Sequence, residues 1–353
     1  MLLLWKNGHF SEKKLSAIIP LVTYIKHALN NITLNIIRFL QINFIKKGFT
    51  MNIKHKTNGT LLIILAGIFW GSMGIFVRGL ADLAGFTSIQ IVSLRLTVAA
   101  IIFTLILLRK DAKGFRIALK DIPLFLGLGL FSVLFFAACY FTAIQMMTLS
   151  VAAILLYTSP IWVMLMSLLF FREKMTRNKL LALVISFLGC VLVSGIGSGE
   201  NKVTVIGILI GLGSGIGYGL YSILGTIALR KYSTYTVTTY TFIIAAVGSL
   251  FLCSLPDLWH KITTCPSKPY LCIFIILTGL VTAVIPFLCY TLGLEQIEAS
   301  RAAILATIEP MVATLIGVIV FHEYLTLMSC IGIICILAAI VVLNLRLSQS
   351  NQD

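Results

Sequence analysis

Charge is what this chain has least of. Asp, Glu, Lys and Arg make up 11% of its 353 residues, and only 12 residues are acidic. A soluble domain carries about a quarter charged residues, so an ordinary water-facing surface is excluded. Other absences narrow the chemistry. The eight cysteines include no Cys-x-x-Cys pair, so metal and redox work are not indicated. Six of them (Cys139, Cys190, Cys272, Cys289, Cys330, Cys335) fall in apolar runs, with Cys253 near a run's end. They read as small polarisable packing residues. Cys265 is the one clear loop cysteine. No His-Glu-x-x-His occurs, since His322-Glu323 lacks the second histidine. The apolar runs hold neither paired aspartates nor a Ser/His couple. The spaced glycines Gly211, Gly213, Gly215, Gly217 and Gly219 resemble a phosphate loop, but no Gly-Lys-Ser/Thr follows and no strand precedes. ATP therefore has no binding sequence, and no cofactor, metal or enzymatic activity is expected.

What is present is apolar. The chain is 59% hydrophobic with mean hydropathy +1.03. Ten runs reach the roughly 20 apolar residues that a spanning helix needs: 60–80, 88–108, 122–144, 150–171, 178–196, 203–227, 236–254, 270–292, 300–321 and 326–344. The runs are continuous, whereas a barrel requires short alternating strands. Backbone polar groups in lipid must be satisfied within the segment, so ten helices are predicted.

The net charge of +15 could suggest nucleic acid, but position decides otherwise. No basic patch is interleaved with surface aromatics. With the N-terminus inside, fifteen Lys/Arg fall on inner segments, from Lys54 to Arg346. Only Arg78, Lys202, Lys261 and Lys268 fall on outer ones, leaving aside residues 1–50 and the intramembrane Arg95. The positive-inside rule then places both termini in the cytoplasm.

Residues 1–50 differ from the rest, with seven Lys/Arg and one acid, Glu12. Leu15 to Leu40 could form a basic amphipathic helix on the anionic inner leaflet. A signal peptide is disfavoured, because no apolar core leads to a small-residue cleavage site. A further reading takes Met51 as the true start and the leader as a mis-called extension. The expected divisions are a basic extension over 1–55, a first five-helix repeat over 56–197, a second over 198–346, and a cytoplasmic tail over 347–353.

The repeat is visible in the letters. Tyr140 to Glu173 aligns without a gap on Tyr290 to Glu323, at an offset of 150. Ser150 falls on Ser300, Ala152-Ala153-Ile154-Leu155 on Ala302-Ala303-Ile304-Leu305, Pro160 on Pro310, and Glu173 on Glu323. Chance aligns apolar letters easily, but not Tyr, Ser, Pro and Glu together. Trp70-Gly71 in the first run and Tyr218-Gly219 in the sixth look like counterparts. An odd number of helices per half forces the second half to be inverted, an architecture that places a solute site near mid-membrane at the repeat interface.

The Trp-Gly of the first run, Arg95 in the second, the Tyr-then-Ser-Ala-Ala-Ile-Leu entry to the fourth, its Ser-Pro and Phe-Arg-Glu, and their echo as Ile-Glu-Pro and Phe-His-Glu in the ninth resemble the EamA-type transporters of the drug/metabolite transporter superfamily. The resemblance covers about residues 60–345. It implies an exporter or permease for small metabolites, amino acids or drugs, working by alternating access about a central cavity in a bacterial inner or plasma membrane. It implies no particular solute.

Ionisable groups inside apolar runs are costly and functional by default. Arg95 could attract an anionic solute group, or it could be a structural cation. Glu309 precedes Pro310, and it could carry a coupling proton or mark a hinge; Pro160 is the hinge counterpart. Trp70, Tyr140, Tyr157, Trp162, Tyr218, Tyr221 and Tyr290 form the aromatic set, able to line a cavity for partly apolar solutes or to serve as core and interfacial belt. Trp70 and Tyr157 lie deeper; Tyr140, Tyr221 and Tyr290 suit belt positions. Glu173 and Glu323 are expected to cap or pair at the interface, for example with nearby Lys174 or Arg177, and Glu295 and Glu298 to form an inner gate near Arg301. The expected partners are a small-molecule solute, the bilayer and protons, with the chain monomeric or homodimeric. The alternatives are a passive channel or receptor-like scaffold and, behind these, a membrane-embedded enzyme.

Overall fold

A computed structural model describes residues 55–195 and 204–345, all within one compact unit, Lys54–Asp353. The basic leader with its amphipathic stretch, Met51 and the tail 347–353 lie outside the described residues. Among those residues every regular element is helical, and nine helices are long and apolar enough to cross a membrane. They are α1 (Asn58–Ala84), α2 (Ser88–Lys110), α3 (Leu119–Met146), α4 (Leu149–Phe171), α6 (Val205–Leu229), α7 (Thr234–Leu252), α8 (Lys268–Leu294), α9 (Ala299–Phe321) and α10 (Leu327–Asn344). Between α4 and α6 runs the shorter α5 (Arg177–Val193), of 17 residues.

The main helix pairings recur when the two halves are exchanged. α1 packs on α8, and α3 packs on α6; α4 meets α6 as α9 meets α1. The pairs α2 with α7 and α5 with α10 map onto themselves. Small residues permit the last contact. A Cβ on Gly189 would stand 2.9 Å from the Gly332 carbonyl oxygen, and one on Gly332 would stand 2.8 Å from that of Gly189. Backbone irregularities repeat too. Arg172 and His322, which end α4 and α9, both sit at φ 53° in the left-handed region. Wider π-helical turns interrupt α3 at Gly127–Leu134 and α8 at Leu280–Val284. α4 breaks between Leu156 and Ser159, and α9 breaks at Thr307. Pro160 and Pro310 both lie in the first turn after their break, where a missing N–H is least damaging.

Polar side chains gather the helix ends into two groups. In one, Lys231 pairs with Asp121, Thr234 donates to Glu295, Ser300 donates to Glu173, and Lys179 reaches Glu173 and Glu298. The Asp121 carboxylate holds the Lys231 ammonium above its ordinary range. In the other group Arg78 pairs with Glu323, and Gln90 donates to Asp257, which also pairs with Lys261. Those two donors, Lys261 first, hold the Asp257 carboxyl below the usual carboxylate range.

Several local expectations are corrected. Glu173 pairs with Lys179 and Ser300, not with Lys174 or Arg177. Glu298 takes Lys179 as its ion-pair partner, while Arg301 donates to Asn344. Cys265 lies outside the helices as expected, but the stretch before it, Leu255–Thr264, is helical, with Trp259 exposed and Leu258 buried. It packs beside α1 and α8, so Cys265 is buried with Leu80, Phe86 and Leu271.

Candidate functional site

The site begins with two dipeptides. Trp70-Gly71 on α1 and Tyr218-Gly219 on α6 each combine an aromatic ring with a glycine that faces a broken helix. A Cβ on Gly71 would lie 2.7 Å from the Glu309 carbonyl oxygen, and one on Gly219 would lie 3.3 Å from that of Ser159. Glycine therefore draws α1 onto the break in α9, and α6 onto the break in α4. The paired rings meet between the halves, with the Trp70 and Tyr218 centroids 5.9 Å apart.

Around them closes a narrow cavity to which both halves contribute. Its lining comes from Trp70 on α1, Ser132, Val133 and Phe136 on α3, Ser159 and Val163 on α4, Tyr218, Tyr221 and Ser222 on α6, Phe287 and Tyr290 on α8, and Ala303 and Ala306 on α9. Trp70 also meets Phe287 at 5.1 Å and Tyr290 at 5.2 Å. Hydroxyl pairs tie α6 to α8: Tyr221 with Thr291 at 2.6 Å, and Ser222 with Tyr290 at 2.7 Å. Such a wall offers ring faces and hydroxyls, with no formal charge of its own.

Charge stands just behind it. The Tyr218 hydroxyl donates to Glu309 Oε2 at 3.0 Å. The Glu309 carboxylate is also within electrostatic reach of Arg95, Tyr140 and Tyr157. Arg95 on α2 is 6% exposed. Its Nη1 lies against the Met73 thioether sulfur, and its Nε has no hydrogen-bond partner. Among the described residues Arg95 forms no ion pair, so it and Glu309 interact through space.

The structure thus brings Trp70, Tyr218 and Tyr290 to the cavity wall, with Glu309 attached to it through Tyr218. Tyr140 stacks on the wall residue Phe136 at 6.4 Å, one layer out. Tyr157 packs near Cys190 and Ile308. Trp162 does not line the cavity; its indole Nε1 donates to Thr158 Oγ1 on the preceding turn, at 3.1 Å. Tyr221 and Tyr290, suited by sequence to belt positions, are each 4% exposed and lie in the core. Sequence reasoning missed Ser132, Ser222, Phe136 and Phe287. A signal existed for some. Tyr218, Tyr221 and Ser222 stand at i, i+3 and i+4, and Phe287 and Tyr290 at i and i+3, so each set shares a helix face. No group of three or more His, Cys, Asp or Glu able to hold a metal occurs among the described residues.

Comparison with known proteins bears on the family and the fold. The sequence profile of the EamA-like transporter family matches residues 57–195 and again residues 205–345. An uncharacterized transporter of Archaeoglobus fulgidus is 29% identical over 284 residues, covering 80% of this chain and 95% of that protein. The uncharacterized transporter YdfC of Bacillus subtilis is 26% identical over 234 residues, 66% of this chain and 75% of its own. A solved crystal structure superposes with a TM-score of 0.70 at 17% identity, over 82% of this chain and 97% of the other, and supports the fold alone. With a repeat matched twice, a multi-pass helical frame and relatives named as transporters, the chain belongs to the EamA-like transporter family of the drug/metabolite transporter superfamily.

Proposed function

We propose that this protein is a proton-coupled secondary transporter that moves a small solute out of a bacterial cell across the inner or plasma membrane. Its ten spans include α5, its halves are inverted, and both termini face the cytoplasm. The observation that carries the reading is Glu309: a carboxylate within an apolar helix, held by the cavity-wall residue Tyr218, beside a cavity walled by both halves. A carboxylate there can gain and lose a proton as the cavity is wetted from one side and then the other. The ring faces of Trp70, Tyr218 and Tyr290 suit a partly apolar solute such as a drug, amino acid or other metabolite. Ser132, Ser159 and Ser222 supply hydrogen bonds.

The orientation has a direct test. Lys174, after α4, and Tyr324, after α9, are both exposed. With inverted halves, a cysteine at position 174 is labelled by an impermeant maleimide from the cytoplasmic face, and one at 324 from the opposite face. Labelling of both from one side removes the inverted arrangement and the transport reading with it.

The function is tested by a thermal-shift screen of the purified protein against a metabolite library, followed by flux in liposomes. A solute that binds at 100 times its Kd adds about 2.7 kcal/mol of stability by mass action, which raises Tm. Flux of that solute should saturate and respond to an imposed pH gradient. Flux linear in concentration would identify a channel. Absence of both stabilisation and flux would defeat the reading.

A further inference from the structure

The two groups of helix ends are not fastened alike. At one, the Lys179 ammonium lies 2.6 Å from a Glu298 oxygen and 3.4 Å from Glu173 Oε2, and Ser300 donates to that same Glu173 oxygen. This joins the end of α4, the start of α5 and the start of α9, so it spans both halves. The side chains of Lys179 and Glu173 are 9% and 11% exposed. At the other end Arg78 meets Glu323 at 2.8 Å, with side chains 48% and 37% exposed. The sequence offset shows that these are not copies. Glu323 is the counterpart of Glu173, but the counterpart of Lys179 is Ser329.

Lys179 is also badly placed for a helix on its own. It lies in the first turn of α5, just after the capping Thr176, where the macrodipole disfavours a cation. Glu173, at 11% exposure, offsets that placement from the dry side, and Glu298, at 54%, offsets it from the rim. We propose that Lys179 is a positioning residue that latches this end of the molecule shut during alternating access, while the Arg78–Glu323 end is only loosely held. The proposal rests on the alternating-access reading. Its physical basis is that a buried charge stripped of its partners is strongly destabilising, whereas the same charges are satisfied once water enters. The Lys179–Glu173 pair therefore has two stable arrangements, dry and paired or wet and apart, as a gate requires. The Arg78 and Glu323 side chains are already 48% and 37% exposed, and an exposed ion pair contributes little.

The test reads access and not transport, so it stands apart from the substrate question. Ala303→Cys places a thiol on the cavity wall, and an impermeant maleimide is applied separately to each face of membrane vesicles. Labelling of the parent chain, with its native cysteines, is subtracted. Lys179→Met should raise the labelling rate from the Lys179 face about tenfold, the effect of about 1.4 kcal/mol on the opening equilibrium. Lys179→Arg should restore the parent rate, and Arg78→Met should change neither rate by more than about twofold. Should Lys179→Met fail to fold, Glu298→Gln, at a half-exposed position, should give a smaller rise from the same face. An unchanged rate in the folded variants overturns the proposal. So does an equal rise from both faces, which would mean loosened packing and not an opened gate.

Discussion

Glu309→Gln is expected to abolish flux driven by a pH gradient while exchange of solute for solute across the membrane survives. The amide keeps the size of the side chain and still offers an oxygen to the Tyr218 hydroxyl, which lies 3.0 Å from Oε2 in the parent. What it loses is the ability to take up and release a proton. Gradient-driven flux should fall at least about tenfold, to the level of empty liposomes, because the coupling step itself is gone. Exchange should stay within about twofold, since the rest of the wall is intact. Tyr218→Phe is the informative companion: it removes one hydrogen bond to the carboxylate, worth about 1.5–3 kcal/mol when that group is charged, but leaves it free to titrate. Coupling should persist in it with a shifted pH profile. An unchanged pH dependence in Glu309→Gln would reduce Glu309 to a hinge residue beside Pro310 and assign coupling elsewhere.

The letters revealed the frame because duplication preserved the residues that terminate and bend helices. The 150-residue offset that aligns Glu173 with Glu323 also aligns Arg172 with His322, and both take the same left-handed turn. Pro160 and Pro310 likewise follow matching breaks. Trp70-Gly71 and Tyr218-Gly219 were legible as counterparts because a ring and a close-approach glycine side by side form a rare pattern in apolar sequence. The partners of charges were not legible. Lys179 meets Glu298 and Glu173 meets Ser300 across more than a hundred residues, and no local spacing encodes that. Lys174 and Arg177 were nearer in sequence, but Glu173 takes Lys179 and Ser300 as its partners. Position along a run left Tyr290 open between belt and cavity, and packing decides for the cavity. Tyr290 stands near the end of its apolar run, yet α8 packs on α1 there, and the ring turns inward against Trp70. Trp162 shows the reverse: a tryptophan inside a run satisfied its N–H on its own helix and left the cavity to others.

Arg95→Ala carries the second large effect, and its outcome separates two uses of a buried cation. A guanidinium inside an apolar core is costly unless its donors are met. Here Nε has no partner, Nη1 faces only a thioether, and Glu309 acts from beyond ion-pair contact. A structural arginine would be fully bonded, and its loss would loosen the protein. An arginine kept for an anionic solute is unsatisfied until the solute arrives. On that reading Arg95→Ala leaves the thermal midpoint of the empty protein unchanged or raised, because an uncompensated charge has been removed. Transport of carboxylate-bearing solutes should fall about 10- to 100-fold, matching the roughly 1.5–3 kcal/mol of a hydrogen bond to a charged group. Neutral solutes of similar shape, held by the rings of Trp70 and Tyr218, should lose no more than about threefold. Arg95→Lys should recover only part of the loss, since an ammonium supplies the charge without the planar fork that grips a carboxylate. Equal losses for anionic and neutral solutes, together with a lowered thermal midpoint, would assign Arg95 to the scaffold and leave Glu309 the sole charge at the cavity with a part in transport.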